Sequence, residues 1–490
     1  MFNFSKLIKM RTWFFAILYY LISVLSSSAQ NDFQTELQKI LQKPEYFNST
    51  VGIQIVDLQT GGALFEMNAG KLMIPASVMK IITSATALEM LGADYRFQTK
   101  IGFTGELPKT NELKGDLVIS GGGDPTLGSE YFKQLELCRD FTKIWTQKIK
   151  ASGIHKIEGN IILDGSVYDT EKIPPTWIWG DIGNYYGAAA NAFTCYDNLF
   201  RITFKSPKEV GEKAEITSVA PKIEGLEIVN EVVSSDNNRD LAYVFGGPPD
   251  KNRVIRGTIP KNKKAFTIKA SVHHPEELLA EALLDQLVKE GIFISGKVKF
   301  ESVDKNKLQD IYTHGSPKLE DIIKVLNHES VNLFAEHLIL QISAEKTGVG
   351  NREKGIELIK GYWHSKGIET DNLFMEDGSG LSHFNAVSPA QINSILIFMA
   401  GKSENREVFI NSLPTPGYGT LSSFNTELFP QNSLKAKSGS MTRVRCYAGF
   451  LELDSGKVVA FSIMFNHFSG QNSKLVKEIE NLLLSIKKSM

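Results

Sequence analysis

Ile74-Pro75-Ala76-Ser77-Val78-Met79-Lys80-Ile81-Ile82-Thr83-Ser84-Ala85-Thr86-Ala87-Leu88-Glu89-Met90-Leu91 is the stretch whose reading decides this chain. After Pro75 its apolar residues recur at three- and four-residue steps, which predicts a helix. Ser77 and Lys80 stand three apart and share a face of it. A serine at a helix start has its own backbone N–H directed at whatever its oxygen attacks. A lysine one turn on, packed among Met79, Ile81 and Ile82, loses hydration, which lowers its pKa. A hydroxyl beside such an amine is an activated nucleophile.

The pair alone is a weak pattern. Ser-x-x-Lys recurs at Ser302–Lys305, Ser343–Lys346 and Ser485–Lys488, each in charged surroundings that read as ordinary helix surface. Ser77 differs in its otherwise apolar helix, its Pro-Ala approach and the motifs downstream.

The chain has 490 residues, 42% of them hydrophobic and 22% charged, a globular composition long enough for two or three domains. Residues 1–29 read as a signal peptide. Lys6, Lys9 and Arg11 precede an apolar run from Thr12 to Leu25, and Ser27-Ser28-Ala29 supplies small residues for a cut before Gln30. The competing reading is an uncleaved anchor, for which the apolar run is short. Secretion into the periplasm is the expectation, with association at the cell wall or membrane periphery. A net charge of −1 gives no sign of nucleic-acid binding. Cys138, Cys195 and Cys446 are odd in number and far apart, and read as buried thiols rather than a disulfide framework. The nine histidines show no convincing ligand spacing, so neither a metal nor another cofactor is expected.

Thr50–Leu58 and Ala63–Met67 flank Gln59-Thr60-Gly61-Gly62 as a hairpin. From Phe97 the texture turns to short strands and turns, as at Asp116–Ser120, Asn160–Leu163 and Ile202–Ile259. Helices return near Pro275, with Glu276–Glu290, Lys318–Glu345, Glu353–Lys366 and Pro389–Ala400. Ser388-Pro389 is an N-cap followed by a favoured first helical residue. Arg445–Leu453 and Lys457–Asn466 are two strands, and Ser473–Lys488 a final amphipathic helix. Terminal strands that must pair under a C-terminal helix imply one domain split in sequence. The expected division is a discontinuous catalytic domain at 30–96 and 268–490, with an insertion at 97–267 that folds apart as one or two extra domains.

A serine acyl-transfer site also needs a second proton relay and a cationic anchor with an oxyanion donor. Ser-x-Asn occurs at Ser235-Asp236-Asn237, in a polar turn, and at Ser330-Val331-Asn332, in an apolar helical region able to face a cleft. Lys-Thr/Ser-Gly occurs at Lys346-Thr347-Gly348, a helix end, and at Lys437-Ser438-Gly439, entering the C-terminal strands. The second of each pair is the better candidate. A strand there would present Lys437 and Ser438 along its edge and set the Ser440 N–H beside that of Ser77.

In this order Ser77-x-x-Lys80, Ser330-x-Asn332 and Lys437-Ser438-Gly439 resemble the penicillin-binding serine peptidases. The long gap between the first two motifs resembles the D-alanyl-D-alanine carboxypeptidase/endopeptidase family of low-molecular-mass class C penicillin-binding proteins. So do Gly115–Leu127, Trp177-x-Trp179-x-Asp181, Asp377-Gly378-Ser379-Gly380-Leu381-Ser382 and Gly417–Leu421. The resemblance implies an α+β fold: a β-lactamase-like catalytic domain, an antiparallel sheet flanked by helices, carrying a large β-rich insertion. It implies an acyl-enzyme on Ser77, with Lys80 as base, Ser330, Asn332 and Lys437 as the relay, and Lys437 and Ser438 on the substrate's terminal carboxylate, with Gly439 and Ser440 beside them. It implies peptidoglycan peptides as substrates and β-lactam antibiotics as covalent inhibitors. The family's usual threonine is Ser438 here. Its usual arginine after Gly-Leu-Ser is His383; that arginine, with an acid from the insertion, holds the side-chain carboxylate of the substrate's diamino acid. Asp169 is the candidate acid. The rival readings are a serine β-lactamase or esterase of the same fold, and a peptidoglycan-binding sensor without activity.

Overall fold

The computed structural model describes residues 32–248, 250–430 and 433–490. The expected signal peptide lies outside them. Among the described residues no helix is long and apolar enough to cross a membrane.

The chain's two ends build one five-stranded antiparallel sheet. Strands β1 (Thr50–Asp57) and β2 (Ala63–Met67) form the expected hairpin; β3 (Leu434–Met441), β4 (Val444–Glu452) and β5 (Val458–Asn466) complete the order β3-β4-β5-β1-β2. Residue Gly52 of β1 pairs Met464 of β5, a contact across nearly the whole chain. Both faces are buried. Cys446, Ala448, Ala460 and Met464 face one apolar core, while Tyr447, Phe461, Ile463 and Phe465 face the other. This double burial makes β5 read as an apolar run from Val459 to Phe465, interrupted at Ser462, rather than an alternating one.

On the first face lie α1 (Met79–Leu91), α2 (Leu319–Glu329), α3 (Asn332–Thr347) and α4 (Pro389–Gly401). α4 starts on the Ser388 cap, closed reciprocally by Gln391. The second face is covered by a helix over 32–41 and by α5 (Asn472–Ser489).

The insertion carries its own sheets. The largest has the order Val298–Phe300, Ile161–Asp164, Leu117–Ser120, Gln98–Phe103, Gln309–Gly315. Its strands from beyond residue 290 pair with those before 165, since unpaired edge groups need partners. The expected return to the catalytic domain at 268 is therefore too early; the sheet closes at Gly315. The insertion lends no strand to the catalytic sheet but is tied to the domain that carries it. The two crossings run side by side: Ser316 N–H donates to the Phe97 carbonyl, and Phe97 N–H to Ser316 Oγ at 3.0 Å. One continuous apolar core then joins insertion residues such as Phe141, Trp145 and Phe200 to α1 and α3.

A single helix over Lys318–Glu345 is also not found. It is two helices, broken at Ser330, whose φ of 58° and ψ of 39° are left-handed.

Candidate active site

Ser77 stands in a 3-10 turn, Ala76–Val78, which leads into α1 at Met79. Ala76 takes a left-handed φ of 46°. The turn is gripped from two sides by glycines. A Cβ on Gly380 would sit 1.9 Å from the Ala76 carbonyl oxygen, and one on Gly439 would sit 2.5 Å from that of Pro75. The strand edge of β3 and the loop 377–382 thus reach the nucleophile's backbone because they carry no side chain there.

Lys80 is fully buried. Its Nζ is 3.0 Å from Ser77 Oγ, 2.6 Å from Asn332 Oδ1 and 2.6 Å from the Ser379 carbonyl oxygen. The Asn332 amide is oriented by its Nδ2, which donates to the Tyr186 carbonyl at 2.8 Å. Two of the amine's partners can therefore only accept. A neutral amine has two N–H groups and one lone pair; with both N–H groups given to those acceptors, the lone pair is left for the Ser77 O–H. Burial pushes the Lys80 pKa down to about 7, against the opposing pull of Asp377 and Glu336.

Those two carboxylates were not foreseen as site residues. Glu336, on α3, accepts the N–H groups of Gly378 and Ser379 at 3.2 and 2.9 Å. Asp377 accepts from Gly380 and Ser382 N–H and from Asn385 Nδ2. It also accepts from Trp177 Nε1 of the insertion at 2.8 Å. Together they shape the loop whose Ser379 carbonyl touches Lys80. The Asp377–Ser382 pattern was visible in the sequence, but a backbone carbonyl leaves no signature in residue identity.

Lys437, also fully buried, donates to Ser330 Oγ at 2.9 Å and to the Ser438 carbonyl at 2.8 Å. Burial holds its pKa well below the usual lysine range, with Lys80 and Arg445 adding to the effect. β3 is an edge strand. Ala436 N–H leaves the sheet to reach the Pro414 carbonyl, and the register is unbroken, so the N–H groups of Ser438 and Ser440 face the same open edge. The Ser440 hydroxyl accepts from Asn472 Nδ2 at 3.3 Å.

The structure thus brings together Ser77, Lys80, Ser330, Asn332 and Lys437, with Ser438, Gly439 and Ser440 on the adjoining edge. The duplicate motifs lie elsewhere. Ser235 Oγ accepts from Asn237 N–H in an exposed turn, and Lys346 precedes a helix end at Gly348, φ 90°.

Asp169 is not brought to the site. Its carboxylate accepts from Asn351 Nδ2 and Glu171 N–H, pinning a loop beyond α3. The acid on which the His383 charge acts is Asp181, which also accepts from Tyr186 Oη at 3.2 Å; burial raises its pKa, and the Tyr186 hydrogen bond and then His383 counter the rise. His383 itself is exposed. Cys138, Cys195 and Cys446 are free and buried, as expected, and burial raises all three thiols.

The chain has known relatives. The chain is 27% identical over 460 residues to a D-alanyl-D-alanine carboxypeptidase of Actinomadura sp. (strain R39), covering 91% of this chain and 83% of that one. It is 28% identical to the D-alanyl-D-alanine carboxypeptidase DacB of Haemophilus influenzae, covering 86% of each. The crystal structure of penicillin binding protein 4 (dacB) from H. influenzae superposes with a TM-score of 0.79 at 24% identity, covering 94% of this chain and 99% of that one. That likeness shows the same fold, the expected catalytic domain with added β-rich sheets. The match to the family model runs from residue 33 to residue 485, from the helix before β1 into α5, and on that extent the chain belongs to the D-Ala-D-Ala carboxypeptidase 3 (S13) family.

Proposed function

We propose that this chain is a serine-type D-Ala-D-Ala carboxypeptidase, with D,D-endopeptidase action on peptidoglycan stem peptides, working through an acyl-enzyme on Ser77. The observation that carries the reading is the buried Lys80 amine, held so that its lone pair meets the Ser77 hydroxyl. Ser77 Oγ attacks the carbonyl carbon between the two D-alanines and its proton passes to Lys80. The Ser77 and Ser440 N–H groups receive the oxyanion. As the C–N bond breaks, the leaving amine takes a proton through Ser330, whose hydroxyl is bridged to Lys437. Lys437 and Ser438 hold the terminal carboxylate; a bound anion restores the charge of an amine that burial has made weakly basic. Water then cleaves the ester and frees Ser77.

On this reading β-lactams acylate Ser77 and stay attached. The H. influenzae relative of the same fold has been crystallised with a novel β-lactam, at a TM-score of 0.75 and 25% identity to this chain. From the sequence-read signal peptide we infer a periplasmic enzyme.

Intact-mass spectrometry after penicillin treatment tests the proposal. One adduct is expected on the wild type and none on a folded Ser77→Ala variant. A label lost within one turnover time would mark a β-lactamase instead, and no label an inactive scaffold. Ser235→Ala and Lys346→Ala should leave turnover within about threefold, whereas Ser330→Ala and Lys437→Ala should lower it by ~100-fold or more.

A further inference from the structure

Far from Ser77 in sequence, the insertion holds a buried guanidinium with no carboxylate paired to it among the described residues. Arg253 opens the strand Arg253–Pro260 and is only 4% exposed. Its Nη1 donates to the carbonyls of Asp250 and Asn252, both at 2.9 Å. Its Nε is buried and bonded to nothing among the described residues. Of the described carboxylates none lies within ion-pair distance of it; Asp250, the nearest acid acting on it, spends an oxygen on Asn252 N–H. A buried charge is ordinarily paired, because leaving it bare costs several kcal/mol.

Beside it stands His273, 7% exposed. Its Nε2 lies 3.3 Å from the Gly246 carbonyl. A carbonyl only accepts, so Nε2 carries the proton and Nδ1 a lone pair. Nδ1 is likewise buried and unpartnered. Burial, with Arg253 adding, pushes this imidazole's pKa down to about 3 and keeps it neutral.

Both side chains line one pocket. It has apolar walls, among them Phe200, Leu226 and Val272, and opens to solvent. At the mouth stand Glu224 and Glu281, neither in an ion pair among the described residues. Lys222 and Lys251 also line the pocket, Lys251 paired with Glu277; against them the lining carries four carboxylates, Asp250, Glu224, Glu277 and Glu281, so the surroundings of the buried guanidinium are acidic on balance, which disfavours a dianion such as phosphate. We infer that it is a binding site for a small zwitterion of the α-amino-acid class. The carboxylate meets the Arg253 guanidinium, the ammonium faces the acidic rim, and a short apolar side chain meets the walls. The site stands apart from the acyl-transfer reading and does not depend on it.

Calorimetric titration of the mature protein with D-alanine tests this, with D-alaninamide and acetate as probes lacking one charge each. D-alanine should bind saturably in the wild type, and equally in Lys437→Met, which removes the anion anchor beside Ser77. Both single-charge probes should bind more weakly. Arg253→Met should weaken D-alanine by at least about tenfold, the scale of one charge-assisted hydrogen bond. The wild-type probe comparison decides the matter even where that variant fails to fold. Acetate binding as tightly as D-alanine, loss of binding in Lys437→Met, or a folded Arg253→Met with unchanged affinity would each overturn the site. A merely structural arginine would show in Arg253→Met as a lower Tm with binding unchanged.

Discussion

Lys80 sets the chemistry of the site by the atoms that surround it. Its pKa of about 7 means that the neutral, proton-accepting form grows as pH rises through that value. Penicillin acylation, followed as a second-order rate, should therefore climb between pH 6 and 8 and flatten above. The same group bears on stability with a definite sign. Its folded pKa lies below its unfolded value of 10.5, so the unfolded chain holds the extra proton between the two and wild-type stability rises with pH across about 7 to 10.5. Lys80→Met removes that dependence: its Tm relative to wild type should be highest near pH 6 and should fall toward pH 10. Elsewhere, the His383 charge acts on the Asp181 carboxylate. His383→Arg would place a permanent, planar cation there. It should favour peptides with a free diamino-acid carboxylate over amidated ones by roughly tenfold in kcat/KM, if one charge-assisted contact of ~1.5 kcal/mol is gained. Equal kcat/KM ratios in variant and wild type would dismiss that role.

The break between α2 and α3 is a functional feature of the elements themselves. A continuous helix would carry Ser330 and Asn332 past the cleft at fixed angles. Instead Ser330 turns left-handed, so its hydroxyl meets Lys437 while Asn332 starts α3 with its amide against Lys80. Glycine occupies that conformation without strain, whereas serine is penalised there. Ser330→Gly should hold or slightly raise Tm and still lower peptide turnover by ~100-fold, since only the hydroxyl is lost. A parallel fall in Tm and turnover would show the residue to be a backbone device.

Across the whole molecule, the insertion completes the site. Tyr186 orients Asn332 through its carbonyl, and Trp177 holds Asp377. Behind α3, Tyr168 Oη donates to Gln341 at 2.9 Å and Thr194 Oγ1 lies 2.8 Å from His337 Nε2. Trp177→Phe keeps the ring's packing and removes one hydrogen bond to a buried carboxylate. Hydrogen bonds of that kind contribute ~1.5–3 kcal/mol, and here the effect passes through the Ser379 loop to Lys80. Acylation by penicillin should slow by about tenfold or more, measured on protein whose Tm is recorded alongside. A lower Tm with an unchanged acylation rate would confine Trp177 to stability.

The sequence by itself determined the local chemistry and the periodic elements. The apolar helix after Pro75, the terminal strands, the Ser388 cap and the order of the three motifs are properties of neighbouring residues, and they were enough to set aside Ser235 and Lys346. What the tertiary structure decided are the quantities that depend on distant partners. Ser330 breaks a pattern whose apolar spacing continues through it, because the cleft and not the helix fixes its torsion. The insertion runs to Gly315 because strand edges are satisfied by pairing, which periodicity does not reveal. Asp181 and not Asp169 feels the charge of His383, Glu336 and Asp377 build the loop over Lys80, and Arg253 lies buried with no carboxylate paired to it among the described residues. Each of these rests on burial and on a contact between residues far apart in the chain, and those arise only once the sheets have closed.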